Sequence, residues 1–420
     1  MQKSKAFGAS TSTPVGGPIV LRASVASRGA WRWVAVGMFV LANVLNFLDR
    51  QLLASLAPPI KVEFHLSNAQ YGAVVSSFSL VYATVTPFAG LLVDRVGLNA
   101  GAVVAVGIWS GAGMATGLAR SLGTLMACRG ALGFGEAAAL PFLSKATATY
   151  LAPSEWGLAS AAGSLAVTFG SVAAPLMAAA IAPRYGWRAA FVIAGAMGVV
   201  WIGLCWLGMK RTKTSEKTQD SPTKDTVTFI LTEPRMWRII AAYGLVMAVL
   251  MLWLNWTTVF LVERHHLTPT EANRYFAWIP PLFVAAGGLF NGWLAFRWIR
   301  RGVDGRKART RICIWSTPLF FLTAAIPFLP SAALAIGGVC LTLFACQCVI
   351  GSLNILPIDL FGPSRAAFTV SLLACSYSLM QTFVSPLIGA SVDRMGFSAV
   401  CMIAAILPAV GIWIVRGVAK

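Results

Sequence analysis

Runs of about twenty consecutive apolar residues recur along the whole chain, "WRWVAVGMFVLANVLNF" and "FVIAGAMGVVWIGLCWLGM" among them. A helix of that length crosses the ~30 Å hydrocarbon core of a bilayer. In lipid, every backbone polar group must be satisfied within the crossing element, which leaves helices and closed barrels as the solutions. Charged residues are 11% of the 420, against roughly 25% in soluble chains. The pattern predicts an all-α polytopic membrane protein with twelve transmembrane helices. They are expected at approximately 31–58, 70–93, 99–119, 123–148, 156–182, 187–209, 237–261, 272–296, 312–329, 331–357, 365–390 and 396–416.

Pro, Gly and charge clusters such as "APRYGWR" and "FLPSAAL" fall between these runs and punctuate them. Residues 1–30 are polar and free of acid. They read as a disordered cytoplasmic tail, because the first apolar run has full span length and no short apolar core with a small-residue cleavage site precedes it. Residues 210–236, rich in Lys, Thr, Ser and Asp, read as a flexible cytoplasmic linker. It separates an N-terminal six-helix bundle, 31–209, from a C-terminal one, 237–420. A short repeat crosses it. "GEAAALP", Gly135 to Pro141, matches "GSLNILP", Gly351 to Pro357, in spacing, and "PLMAAAIAPRYGW" from Pro175 answers "PLIGASVDRMGF" from Pro386. Repeated halves with a site between them are a common construction of secondary transporters.

Charge sets the expected orientation. With the N-terminus inside, 24 of the 33 Lys and Arg residues fall in cytoplasmic segments, seven outside and two within spans. That is the positive-inside asymmetry. It accounts for a net charge of +19 through contact with an anionic leaflet, and no basic-aromatic interleaving suggests nucleic acid. Both termini are expected inside, in a bacterial cytoplasmic membrane.

Four ionisable residues lie well inside the predicted spans: Asp49, Arg50, Arg129 and Glu136. A charge there costs at least ~2.5 kcal/mol, and such residues usually line a substrate or proton path. Arg129 and Glu136 are seven residues apart, so they share a helix face about 10.5 Å along its axis. Two acids and two bases together are neutral, which makes burial tolerable. The second half lacks them: Ser352 stands opposite Glu136, and Ala345 opposite Arg129. A structural ion-pair cluster is the plainer alternative.

"GLLVDRVG", Gly90 to Gly97, resembles the G-x-x-x-D-R-x-G signature of the major facilitator superfamily. "FLDRQ", residues 47–51, "RGALGFGEAAALP", residues 129–141, and "RYGWRAAF" resemble its anion:cation symporter family, which includes hexuronate and other sugar-acid transporters. The resemblance spans essentially the whole chain. It implies two pseudo-symmetric six-helix bundles and proton-coupled uptake of a small organic anion by alternating access. Arg50 and Arg129 would bind the carboxylate, and Asp49 and Glu136 would carry protons. Gly90, Asp94, Arg95 and Gly97 would belong to a cytoplasmic gate. Guanidinium suits the first role because its planar fork matches a carboxylate and never loses its charge. Where family members often carry basic residues after the signature, this chain has Leu98 and Asn99; Phe296 stands where an Asp is common; Phe47 and Thr258 stand where Tyr and Pro are common.

Asn46, Gln51, Asn255 and Asn354 are further candidates for substrate contact, since amides both donate to and accept from hydroxyls, and Trp256 is another, with a ring face to stack on a sugar or to pack against its neighbours. Gln347 and Gln381 are similar polar groups in spans. Each serves equally well as a tie between helices. The eight cysteines lie within or at the edges of spans, His65, His265 and His266 lie in outside loops, and no spacing suggests a metal, a cofactor or a catalytic nucleophile with its base. The chain therefore reads as a transporter rather than an enzyme, functional as a monomer. An exporter or exchanger of another small molecule, and a non-transporting membrane sensor or enzyme, remain open alternatives.

Overall fold

The computed structural model describes residues 31–209, 224–362 and 365–418. The expected tail and residues 210–223 of the expected linker lie outside that range. Among the described residues all regular structure is helical, in twelve crossings. These are α1 Trp31–Ser55, α2 Asn68–Val96, α3 Leu98–Gly117 and α4 Leu122–Glu136, which resumes as Ala139–Tyr150. Next come α5 at 156–185, α6 at 187–209, α7 Pro234–His265, α8 Pro269–Arg300 and α9 Gly305–Phe328. The last three are α10 Ala332–Phe361, α11 at 366–395 and α12 at 397–416.

α5 and α6 form one unbroken run of 54 residues, too long for a single crossing, and α11 and α12 one of 51. The turns are single residues with left-handed backbone, Gly186 at φ +78° and Gly396 at φ +73°. A side chain would be strained at either position. α4 breaks for a different reason. Pro141 cannot donate to the carbonyl of Ala137, and its ring collides with it, so the helix stops at Glu136 and restarts at Ala139. The repeat partner Pro357 leaves α10 continuous.

Two boundaries differ from expectation. α9 starts at Gly305 rather than 312, because Asp304 caps it, accepting from the Lys307 backbone N–H at 3.2 Å. The basic stretch Arg306–Arg311 is thus helical. Residues of the expected linker also fold: Lys224–Thr232 is a short helix, and Pro234 already opens α7, Pro being well suited to a first helical turn.

The halves repeat one packing scheme. Gly133 brings α4 onto the α2 backbone at Phe78, and Gly287 brings α8 onto the α10 backbone at Phe344. Close approach through small residues is how helices associate where lipid removes the hydrophobic drive. Between the halves, α2 packs on α11 and α1 on α7.

At the α1–α2 end, Glu63 closes the short helix Ala57–Glu63 and accepts from Arg188 (2.5 Å) and from Trp187 Nε1 (2.6 Å). The Arg188 bond, then the Trp187 bond, hold its carboxyl below the usual glutamate range. A lowered folded-state value stabilises above the unfolded pKa and stops doing so as pH falls through the folded value. Glu63→Gln should therefore lower the melting temperature slightly near neutral pH, and the deficit should shrink as the pH falls below the ordinary glutamate value of about 4.3 and through the lower folded-state value. Melting curves of both proteins across that range check it. The pair is half-exposed, so the effect is small.

Candidate functional site

Asp49 and Arg50 are neighbours on α1, so their side chains leave the helix about 100° apart. Asp49 Oδ1 faces Gly113 of α3, inside the first bundle. Arg50 points the other way, toward α2, α4 and α11. Its Nε donates to Glu136 Oε2 at 2.6 Å, with Glu136 wholly buried at the broken end of α4. Three rings surround the guanidinium: Phe47 with its centroid 5.1 Å from Cζ, Phe78 at 4.9 Å and Tyr82 at 4.6 Å. Such faces attract a cation most where water is scarce. Phe78 also faces Arg129, at 5.4 Å.

The four charged residues come together. Arg129 lies within the electrostatic reach of Glu136, Asp49 and Arg50, and Asp49 within that of Glu136. Asp49 and Arg129 are 3% and 4% exposed, whereas the Arg50 side chain keeps 14%. Arg50 is thus the least buried member of the cluster. Polar capacity is left over among the described residues: Asp49 Oδ1 and Arg129 Nε have no hydrogen-bond partner, while Asn46 lies within hydrogen-bonding reach of Glu136. Buried polar groups are normally paired, so these atoms leave hydrogen-bonding capacity unused inside the cluster. In the second half the corresponding place is neutral and closed, with Ser352 donating to Asn291 Oδ1 at 2.7 Å.

Opposite Arg50, Tyr377 of α11 reaches the guanidinium from the second half. It also lines a narrow chamber with Asn255, Trp256, Gln381 and Ser385. Ser385 Oγ is buried without a partner. Asn255 Nδ2 is spent on the Met251 carbonyl (3.0 Å), which leaves its side-chain oxygen. Trp256 is 1% exposed and meets Tyr71 edge to face at 5.0 Å, a wall of the chamber more than an open stacking surface.

The other candidates are spread out. Gln51 lines a separate narrow crevice with Ser55, Ser171, Thr257 and Thr258. Asn354 is half-buried beside Tyr243 and lines neither space. Of the gate candidates, Gly97 has the left-handed backbone (φ +89°) that turns α2 into α3, and Arg95 is exposed. The side chains of 90–94, Asp94 included, lie outside the described residues. Asn99 accepts from Tyr150 at 3.3 Å and ties α3 to the end of α4.

The sequence reading missed Phe78, Tyr82 and Tyr377. Phe78 and Tyr82 are one helical turn apart, the one available signal, but nothing in an apolar run separates a cavity face from a lipid face.

Residues 39–374 match the family model of the Major Facilitator Superfamily. The chain belongs to the major facilitator superfamily. Within this superfamily it is 27% identical over 408 residues to the hexuronate transporter of Escherichia coli (strain K12), covering 91% of this chain and 94% of the relative. It is 26% identical over 281 residues to the galacturonate transporter of Dickeya chrysanthemi, covering 63% and 81%. Its fold superimposes on the crystal structure of a bacterial homolog of the human lysosomal transporter Spinster in an inward-facing, occupied conformation. The TM-score is 0.80 and the identity 20%, over 93% of this chain and 97% of that one. A superfamily member with these crossings is an integral multi-pass membrane transporter.

Proposed function

We propose that this transporter carries a small organic anion of the sugar-acid class into the cell together with protons, by alternating access, in a bacterial cytoplasmic membrane with both termini inside. One observation carries the reading: the 2.6 Å pair of Arg50 with a wholly buried Glu136, beside Arg129 and Asp49. The relatives that transport hexuronate and galacturonate over most of their length support the substrate class.

The chemistry follows from competition. A carboxylate approaching between the halves meets Arg50, the exposed member of the cluster. A guanidinium fork binds it with two parallel bonds. Glu136 then loses its partner at the carbonyl end of a helix segment, where the dipole disfavours a negative charge, and a proton neutralises it. Arg129 and Asp49 hold the second half of the balance. The hydroxylated body of the anion turns toward Tyr377, Asn255, Gln381 and Ser385, whose oxygens and amide groups suit hydroxyl groups, and the narrow chamber they line widens to admit it. Substrate and proton together leave the site nearly neutral, and the halves can exchange access. On release inside, Arg50 returns to Glu136 and expels the proton.

Purified protein in liposomes with an inward proton gradient tests this. Galacturonate and glucuronate should accumulate, with alkalinisation of the outer medium. Exchange without net uptake would make the protein an exchanger, and no movement of any sugar acid would sink the reading.

A further inference from the structure

Hydrogen bonds latch the two halves together at the α1–α2 end. Six hydrogen bonds join the halves between the α1–α2 end and mid-membrane. They are Lys61 with Glu263 (2.5 Å), Asn68 and Ala69 with Asp393, Tyr71 with the Asn255 carbonyl, Ser76 with the Thr382 carbonyl, and Asn273 with the Ser55 carbonyl. The Asp393 contact differs in kind from the rest. Its two carboxylate oxygens accept from the backbone N–H of Asn68 (3.0 Å) and of Ala69 (2.9 Å). Those are the first two residues of α2. The first N–H groups of a helix have no partner within it, and the positive end of the dipole draws an anion. Here the capping anion comes from the far half, 324 and 325 residues away in sequence. Lys61 donates at once to Asn68 Oδ1 and Glu263, which fixes the same corner from the side.

The stretch that carries Asp393 has a pattern already met. "GASVDRMG", residues 389–396, repeats the G-x-x-x-D-R-x-G spacing of "GLLVDRVG", residues 90–97, with Val, Asp and Arg identical. The first occurrence ends α2 and the second ends α11, the two helices that pack together across the halves. Gly389 at the head of the second lies against the Asn68 and Ala69 backbone with no room for a Cβ. Glycine and aspartate thus act as a unit: one lets α11 touch the start of α2, the other binds it there.

We propose that Asp393 is a positioning residue for transport, a cap in trans whose bond to the α2 N-terminus holds the α1–α2 end shut and must break for that end to open. The proposal needs alternating access but neither the substrate nor the proton coupling assigned above. Removing the carboxylate and wedging the contact act by different physics and should give one result.

The measurement is the distance between nitroxides at Leu118→Cys and Phe328→Cys, exposed positions in the two halves at the latched end. Cys128 and Cys375, the cysteines that are not buried, are replaced by serine in the background chain. The parent should show one short distance. Asp393→Ala and Gly389→Ala should each add a longer one, raising the open fraction about tenfold from the few per cent usual for a minor state. Asp393→Glu, which keeps the anion, should fall between. Unchanged distances in both alanine variants, purified as monodisperse protein, overturn the proposal, as does a shift in Asp393→Ala that Asp393→Glu reproduces in full.

Discussion

Glu136→Gln should abolish proton-driven accumulation while leaving exchange of substrate across the membrane in place. Glutamine keeps the shape of the side chain and still offers an oxygen to Arg50, so the 2.6 Å contact survives as a bond from the guanidinium to an uncharged amide. What it removes is the group that alternates between pairing with Arg50 and holding a proton. For each coupled proton, a gradient of one pH unit supports about tenfold accumulation, or about 1.4 kcal/mol. The variant should lose that factor, and its steady-state ratio in liposomes should fall toward one if Glu136 carries the single coupled proton. Counterflow with substrate on both sides should continue. Undiminished accumulation would show that the coupling proton binds elsewhere, with Asp49 the next group to vary.

Arg50→Ala should be damaging twice, and the two losses should separate. It strips Glu136 of its partner in a fully buried place, and an unpaired buried charge costs about 3–5 kcal/mol. It also removes the least buried member of the cluster, the one that Tyr377 of the second half reaches, with the contacts of Phe47, Phe78 and Tyr82. Loss of a charge-assisted bond of about 2 kcal/mol weakens carboxylate binding about thirtyfold. Adding Glu136→Gln should restore most of the thermal stability, since it removes the stranded charge, and should restore none of the binding. Melting in detergent and substrate quenching of tryptophan fluorescence read the two separately. If the double variant binds as the parent does, Arg50 is a structural tie and the carboxylate is held by Arg129 alone. Arg50→Lys should hold stability better than it holds binding, because an ammonium keeps the charge and loses the fork.

These experiments rest on features of unequal legibility. Asp49, Arg50, Arg129 and Glu136 stood out because lipid makes any charge conspicuous, and their helical spacing already allowed a common space. Gln51 and Asn354 looked equivalent to Asn255 in sequence, yet they lie apart from the chamber that Asn255 lines. A helix presents side chains all round, and which arc meets the cavity depends on rotations that neighbours impose. Phe78 and Tyr82 were hidden for the same reason. Pro141 and Pro357 hold matching places, but α4 breaks and α10 does not, so even a repeated signal is read differently by its surroundings.

By itself the sequence determined the membrane-spanning class, the helix count, the repeat of halves and the four buried charges, because each depends on the cost of putting backbone or charge into hydrocarbon, and that cost is local. The tertiary structure decided that Arg50 pairs with Glu136 rather than with its neighbour Asp49, that Tyr377 answers it from the other half, and that Asp393 caps a helix more than three hundred residues away. Those are contacts between distant segments, fixed by how helices rotate and cross, and no spacing within one helix encodes them.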